Sequence, residues 1–167
     1  YYINGIAYTR DYERVNRKFG RYLLEKEDQG LQLAQELDLP VSVHDREAHA
    51  EMYELLRQYR PRGVLHCYSG SAEDAAWLTA QGMALGFGGA VTYKGAKRAA
   101  KVLAMVPHEL AVLETDCPYM SPEPVRGTRN DSRNIAHVAA KIGEIWQMDA
   151  QSVLDLTAEN AKRIFNQ

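Results

Sequence analysis

The sequence predicts an α/β fold in which parallel strands alternate with crossover helices, and three observations carry that prediction. From about residue 38, short apolar runs alternate with stretches whose apolar residues recur every three or four positions, the pattern of βα units. Three of these runs, Val41-Ser42-Val43-His44, Val64-Leu65-His66 and Val112-Leu113-Glu114-Thr115-Asp116, end on a metal-ligand side chain. The spacing also repeats: 22 residues separate His44 from His66, 22 separate His66 from Gly88, and 28 separate Gly88 from Asp116. Each interval suits one strand plus one helix. Four such units are half of an eight-unit barrel, which typically takes about 250 residues, and a four-stranded open sheet satisfies the same pattern.

Residues 1–37 read as an N-terminal segment and helix, and residues 38–167 as four βα units finished by two helices, all in one domain. The first strand is Pro40 to His44. Its helix runs from about Arg46 to Tyr59, with Ala48, Met52, Leu55, Leu56 and Tyr59 on one face. Pro61 and Gly63 close that unit, and the second strand is Gly63 to Cys67. Ser71-Ala72-Glu73-Asp74 resembles a capping box and opens the next helix. A third strand is expected over Met83 to Val91, broken by Gly86, Gly88 and Gly89, with a helix from about Gly95 to Met105 after it. The fourth strand is Leu110 to Asp116. A long loop rich in Pro, Arg and Asn spans Cys117 to Asn130. Two helices follow, one with Ile135, Val138, Ala139, Ile142, Ile145 and Trp146 on a face, the other starting after Asp149 with Val153, Leu154, Ala161, Ile164 and Phe165.

Composition bounds the function. At 167 residues, 46% hydrophobic and 25% charged, the chain is long enough for one domain with a real core. A net charge of -2 gives no global basic field, so any nucleic-acid contact must come from a local patch. No apolar run approaches the roughly 20 residues that span a bilayer, and no membrane partner is expected. Cys67 and Cys117 directly follow His66 and Asp116, which reads as two strand ends rather than a disulfide framework. The expected compartment is therefore a reducing cytoplasm. No signal peptide is visible, and the chain opens on Tyr1 rather than Met.

In a parallel barrel the catalytic groups sit at the C-terminal ends of the strands, which brings His44, His66 and Asp116 to one mouth. Imidazole nitrogens plus a carboxylate suit a borderline divalent cation such as zinc. Taken singly, each has a plainer reading: a strand-end histidine bonding a carbonyl, or an aspartate capping the turn before Pro118. Arg126, Arg129 and Asn130 can hold a phosphate, because guanidinium forks match its oxygens, although a solvated loop with ordinary surface charges explains them equally. Arg46, two residues after His44, faces the same mouth in this reading. Gly86-Phe87-Gly88-Gly89 does not open a helix as a dinucleotide fingerprint must, and close packing explains it more simply. His49, His108 and His137 fall on helix or turn surfaces and receive no role.

At these residues the chain resembles the TatD family of metal-dependent deoxyribonucleases, within the amidohydrolase-like TIM barrels. Pro40 to Ala48 matches P-V-x-x-H-x-R-x-A, His66 to Gly70 matches H-C-[FY]-S-G, Glu114 to Tyr119 matches E-T-D-x-P-[YF], and Arg126 to Asn130 matches R-G-x-x-N. The resemblance implies that His44 and His66 bind one divalent ion (Zn, Mg or Mn) and Asp116 the other, two per complete site. Asp116 would also be catalytic, and Arg46, Arg126 and Asn130 would contact substrate. The implied reaction is hydrolysis of DNA phosphodiesters, single-stranded or at 3′ ends, by a metal-activated water. The family's H-x-H pair and bridging glutamate are not in the chain, and Tyr1-Tyr2 resembles what directly follows that glutamate. The expected fold is thus the C-terminal half of a TIM (β/α)8 barrel, strands five to eight, with open edges available for self-association. Two rival readings remain: a barrel hydrolase of a small ester, amide or phosphotriester, and an inactive truncated barrel fragment.

Overall fold

Four short strands, β1 (Val41–His44), β2 (Gly63–His66), β3 (Ala84–Phe87) and β4 (Ala111–Leu113), pair in parallel and in sequence order. The structure, a computed structural model, describes residues 25–26, 28–45 and 49–165; Arg46, Ala48 and Tyr1-Tyr2 lie outside them, as does most of the N-terminal segment. Among the described residues the helices are α1 over 28–36, α2 (His49–Tyr59), α3 (Ala72–Ala80), α4 (Lys97–Leu103), α5 (Ile135–Trp146) and α6 (Ala150–Phe165). Parallel strands cannot be joined by a hairpin, so a helical crossover separates each pair.

Alternation along the strands sorts the core into two layers. Val43, Leu65, Leu85 and Phe87 join the larger core with Met52, Tyr53 and Leu56 of α2, Leu78 of α3, Val102 and Leu103 of α4, and Val138 and Ile142 of α5. Val64, Ala84 and Val112 point the other way, into a smaller cluster closed by Ile164 of α6, with Ala161 and Phe165 packed against it. Each such aliphatic or aromatic side chain contributes about 1.5–3 kcal/mol on burial. All four residues of β3 are buried, as a strand with covered faces requires, whereas Ser42 on the edge strand β1 is exposed.

Local chemistry sets the boundaries. A Cβ on Gly63 would lie 2.0 Å from the Val41 carbonyl oxygen, so only glycine lets β2 start so close to β1. Ser71 caps α3 as expected: its hydroxyl accepts from the Asp74 N–H at 3.0 Å and donates to the Asp74 carboxylate at 2.7 Å. Asp149 accepts from the Ser152 N–H at 3.0 Å at the start of α6. No helix among the described residues is long and apolar enough to cross a membrane.

Two expected strands are shorter than the sequence suggests. β3 ends at Phe87 rather than Val91, and Gly89–Thr92 turns into a 3-10 helix. The physical reason is the loop after β4, which occupies the space: a Cβ on Gly89 would meet the Met120 carbonyl oxygen at 1.9 Å. β4 ends at Leu113, and Asp116 turns away with φ 51°. Polar side chains also enter the core where the apolar pattern marks none. Asn160 of α6 is 1% exposed, and its amide donates to the His108 carbonyl at 2.7 Å and the Ala111 carbonyl at 2.9 Å. It ties the last helix to the start of β4. Asn160→Ala removes two hydrogen bonds and deprives the buried Ala111 carbonyl of its side-chain partner, while the His108 carbonyl keeps the Ala111 N–H, so we expect a loss of about 1–3 kcal/mol. Urea unfolding checks this: the midpoint should fall with the slope unchanged.

Candidate metal centre

The register of the first strand pair places the two histidines side by side. His44 is the direct partner of His66 across β1 and β2, and their rings lie 5.7 Å apart, tilted by 34°. His44 is exposed at the sheet edge, and His66 is half-buried. A third strand end supplies the carboxylates. Glu114, one residue beyond β4, reaches back across β3 to accept from His66 Nδ1 at 2.6 Å through Oε2. Its other oxygen accepts from the Cys67 N–H at 2.5 Å. The strand it crosses carries Gly86 at that point, where a Cβ would stand 2.7 Å from Glu114 Oε2. Glycine leaves the lane open.

These contacts decide the state of His66. A carboxylate on Nδ1 holds the proton there and leaves the Nε2 lone pair free. Nε2 lies 3.5 Å from Asp116 Oδ1. Two ligands of one tetrahedral ion, each bonded at about 2.1 Å, stand about 3.4 Å apart, so this pair already has the separation of neighbouring ligands. His44 stands beside this pair, its ring centroid 5.7 Å from that of His66, and two imidazoles with a carboxylate are donor types that suit a divalent cation. Glu114 feels opposing influences. Burial dominates and holds its carboxyl above the usual carboxylate range, against the pull of the His66 imidazole and the two N–H bonds, and the charge of Asp116 adds to the rise.

Among the described residues, the group whose donor atoms all lie within 4.8 Å of one another is His66, Cys67 and Glu114; the donors of His44, His66 and Asp116 do not come that close together. That set is the poorer one chemically. Both Glu114 oxygens are engaged, and burial pushes the Cys67 thiol up to about 12, with the charges of Glu114 and Asp116 adding to the effect. A protonated thiol is a weak ligand. We therefore read Glu114 as the group that orients His66, and Cys67 as a backbone donor to it.

Three substrate-contacting expectations fare differently. Asn130 is corrected: it is 2% exposed, and its amide is fully occupied within the chain. It donates to the Thr115 and Tyr119 carbonyls, both at 2.7 Å, and accepts from the Asp131 N–H at 3.0 Å and Asn134 Nδ2 at 2.9 Å. No donor remains for a substrate, so Asn130 clamps the segment that bears Asp116. Arg126 sits on the rim, with its guanidinium 4.1 Å from the Tyr93 ring centroid and 3.8 Å from Glu123 Oε1. Arg46 lies outside the described residues. Glu114 and Gly86 are the functional residues for which the sequence reading had no role. A signal for Glu114 was present: it precedes Asp116 by two positions, the spacing that puts both side chains on one side of an extended chain. His49 and His108, left without a role, have structural partners, since His49 Nδ1 meets the Asp45 carboxylate and His108 stacks on Trp146 at 4.1 Å.

Known proteins resemble this chain in sequence and fold. The family model described as TatD related DNase matches residues 13–166. The chain belongs to the TatD family. It is 38% identical over 136 residues to the uncharacterized metal-dependent hydrolase YabD of Bacillus subtilis (strain 168), across 80% of this chain and 53% of that protein. It is 31% identical over 144 residues to the 3′-5′ ssDNA/RNA exonuclease TatD of Erwinia tasmaniensis, across 81% of this chain and 56% of that protein. The crystal structure of YjjV, a TatD homologue from Escherichia coli K12, superposes with a TM-score of 0.80 at 29% identity, covering 96% of this chain and 60% of that one. The four-stranded sheet is thus an α/β fold similar to those of TatD proteins. The chain spans about half the length of the curated relatives it matches.

The two cysteines of this TatD chain give a direct check on the centre. With its thiol pushed up to about 12, Cys67 is about one part in ten thousand thiolate at pH 8, whereas Cys117 is exposed. Iodoacetamide at pH 8 should alkylate Cys117 and spare Cys67 until the protein is unfolded, as read by peptide mass spectrometry.

Proposed function

We propose that this chain is the C-terminal half of a TatD (β/α)8 barrel, strands five to eight in one domain, and that the complete protein hydrolyses phosphodiesters of single-stranded DNA or of 3′ ends. The observation that supports it best is the His66–Glu114 pair, which reaches across β3 and leaves Nε2 3.5 Å from Asp116 Oδ1. Family membership and the share of the relatives' length that the chain covers agree with this reading. The name of the Erwinia relative supports a nucleic-acid substrate. Leu33, Leu37 and Leu39 are 54%, 57% and 54% exposed on the β1 side of the sheet, and they form the surface against which the other half of the barrel, or a second copy, would pack.

In this reading His44, His66 and Asp116 hold the cations, two per complete site, of zinc, magnesium or manganese. A divalent ion bound there supplies Lewis acidity toward a phosphoryl oxygen and a water nucleophile at neutral pH. The protein does the rest. Glu114 fixes the His66 tautomer through Nδ1, and its backbone partner at Cys67 holds the turn after β2. Asp116, its side chain 39% exposed, faces the mouth, where Oδ1 would ligate the cation and the second carboxylate oxygen can accept a proton from the attacking water. Arg126, on the rim, steers the phosphate backbone.

In the complete chain, His44→Ala or His66→Ala is expected to abolish metal-dependent cleavage of single-stranded DNA; unchanged turnover in both would remove them from the centre. A parallel screen against small esters separates a nuclease from a hydrolase of small substrates. Glu114→Gln keeps the shape but weakens the hold on Nδ1, so metal affinity measured by calorimetry should fall about 10- to 100-fold.

A further inference from the structure

We propose that Tyr119 is a stacking platform for an unpaired nucleobase at the rim of the site, selecting strands whose base faces are free; this rests on the nuclease reading above. Tyr119 lies three residues beyond Asp116 and is 68% exposed, the most open of the large apolar side chains described. Exposure alone would mean little. What sets Tyr119 apart is that its backbone is immobilised from both sides by the groups that position the candidate ligand. Its N–H donates to the Asp116 carbonyl at 2.9 Å, and its own carbonyl accepts from the buried Asn130 amide at 2.7 Å. The same Asn130 amide holds Thr115 at 2.7 Å, and the Asn130 N–H donates to the Pro118 carbonyl at 3.0 Å. The backbone that carries the ring is therefore tied directly to Asp116, and only two side-chain torsions remain to be ordered on binding.

The rest of the rim fits the same ligand. Arg126, on the same loop, stacks on Tyr93 and offers its charge to a phosphate, and the Tyr93 hydroxyl donates to the Ser121 carbonyl at 3.1 Å. A π-face for a base and a guanidinium for the backbone are the two elements of single-strand binding. Stacking tolerates any base because every base has a π-face. Base pairing and stacking within a duplex cover that face, so a duplex gains nothing from the ring.

The test is binding of fluorescently labelled strands by the full chain in EDTA, followed by anisotropy, with a cleavage assay in added metal run alongside. The wild-type protein should prefer oligothymidylate to an abasic strand and to a duplex of equal length. Tyr119→Ala should weaken binding to oligothymidylate about 5- to 150-fold and leave the abasic strand unaffected, while Tyr119→Trp retains the preference. Arg126→Ala should weaken both single strands alike and flatten the salt dependence. Wild-type affinity for oligothymidylate in Tyr119→Ala, or no wild-type preference for bases over abasic sites, overturns the stacking role; metal-dependent cleavage in that same protein would leave the nuclease reading standing. A protein that binds and cuts neither strand yet hydrolyses small esters overturns both.

Discussion

One carboxylate reaching across a strand organises this end of the molecule. His66 and Glu114 belong to strands two apart in the sheet, so their backbones are separated by about 10 Å, twice the spacing of neighbours. Only a side chain of the length of glutamate, crossing a strand with no Cβ in the way, can close that gap. Gly86 is that opening, and a Cβ there would stand 2.7 Å from the carboxylate. The contact at 2.6 Å then fixes the imidazole proton on Nδ1 and turns Nε2 toward Asp116. His66, Gly86 and Glu114, from three separate βα units, work as one element. Half-burial of the carboxylate strengthens the arrangement, because in a lower dielectric the hydrogen bonds it accepts are electrostatically stronger.

A second constraint holds the loop that bears Asp116. A loop can place a ligand side chain accurately only if its backbone groups are paired, and here one buried amide pairs several of them. Asn130 bonds Thr115 and Tyr119 on either side of Asp116, and the loop's Met120 carbonyl presses into the cleft over Gly89. Between them, a buried side chain and an absent one give the loop a definite path. Asn160 does similar work at the opposite end of β4, where it ties α6 to the strand's first residue. Both ends of β4 are therefore anchored by buried asparagines, and the strand that leads to Glu114 and Asp116 is held along its length.

The core explains why such polar anchors are affordable. Three internal crossovers cover one face of the sheet with a continuous apolar layer, and α6 closes the lower part of the other face through Ile164. The upper part, toward the strand ends, is where the polar side chains gather. That division follows the general behaviour of parallel sheets, whose C-terminal ends are left for binding while their middles are packed. Membership of the TatD family is consistent with this placement of the chemistry.

The chain's own order of residues determined much of this. Alternating periodicities specified four parallel βα units and two closing helices, the serine cap at Ser71 was readable from its spacing, and His44, His66 and Asp116 stood out as donors at strand ends. These are local signals, set by neighbours a few positions away, and so they survive without knowledge of the fold. What only the tertiary structure decided involves partners far apart in the chain. Glu114 became the partner of His66 through strand register, and Asn130 passed from a candidate substrate contact to a buried clamp because the loop folds over it. β3 stopped short because a loop 30 residues later fills its path. No periodicity records such contacts, since each depends on which strands lie side by side and which side chain is missing between them.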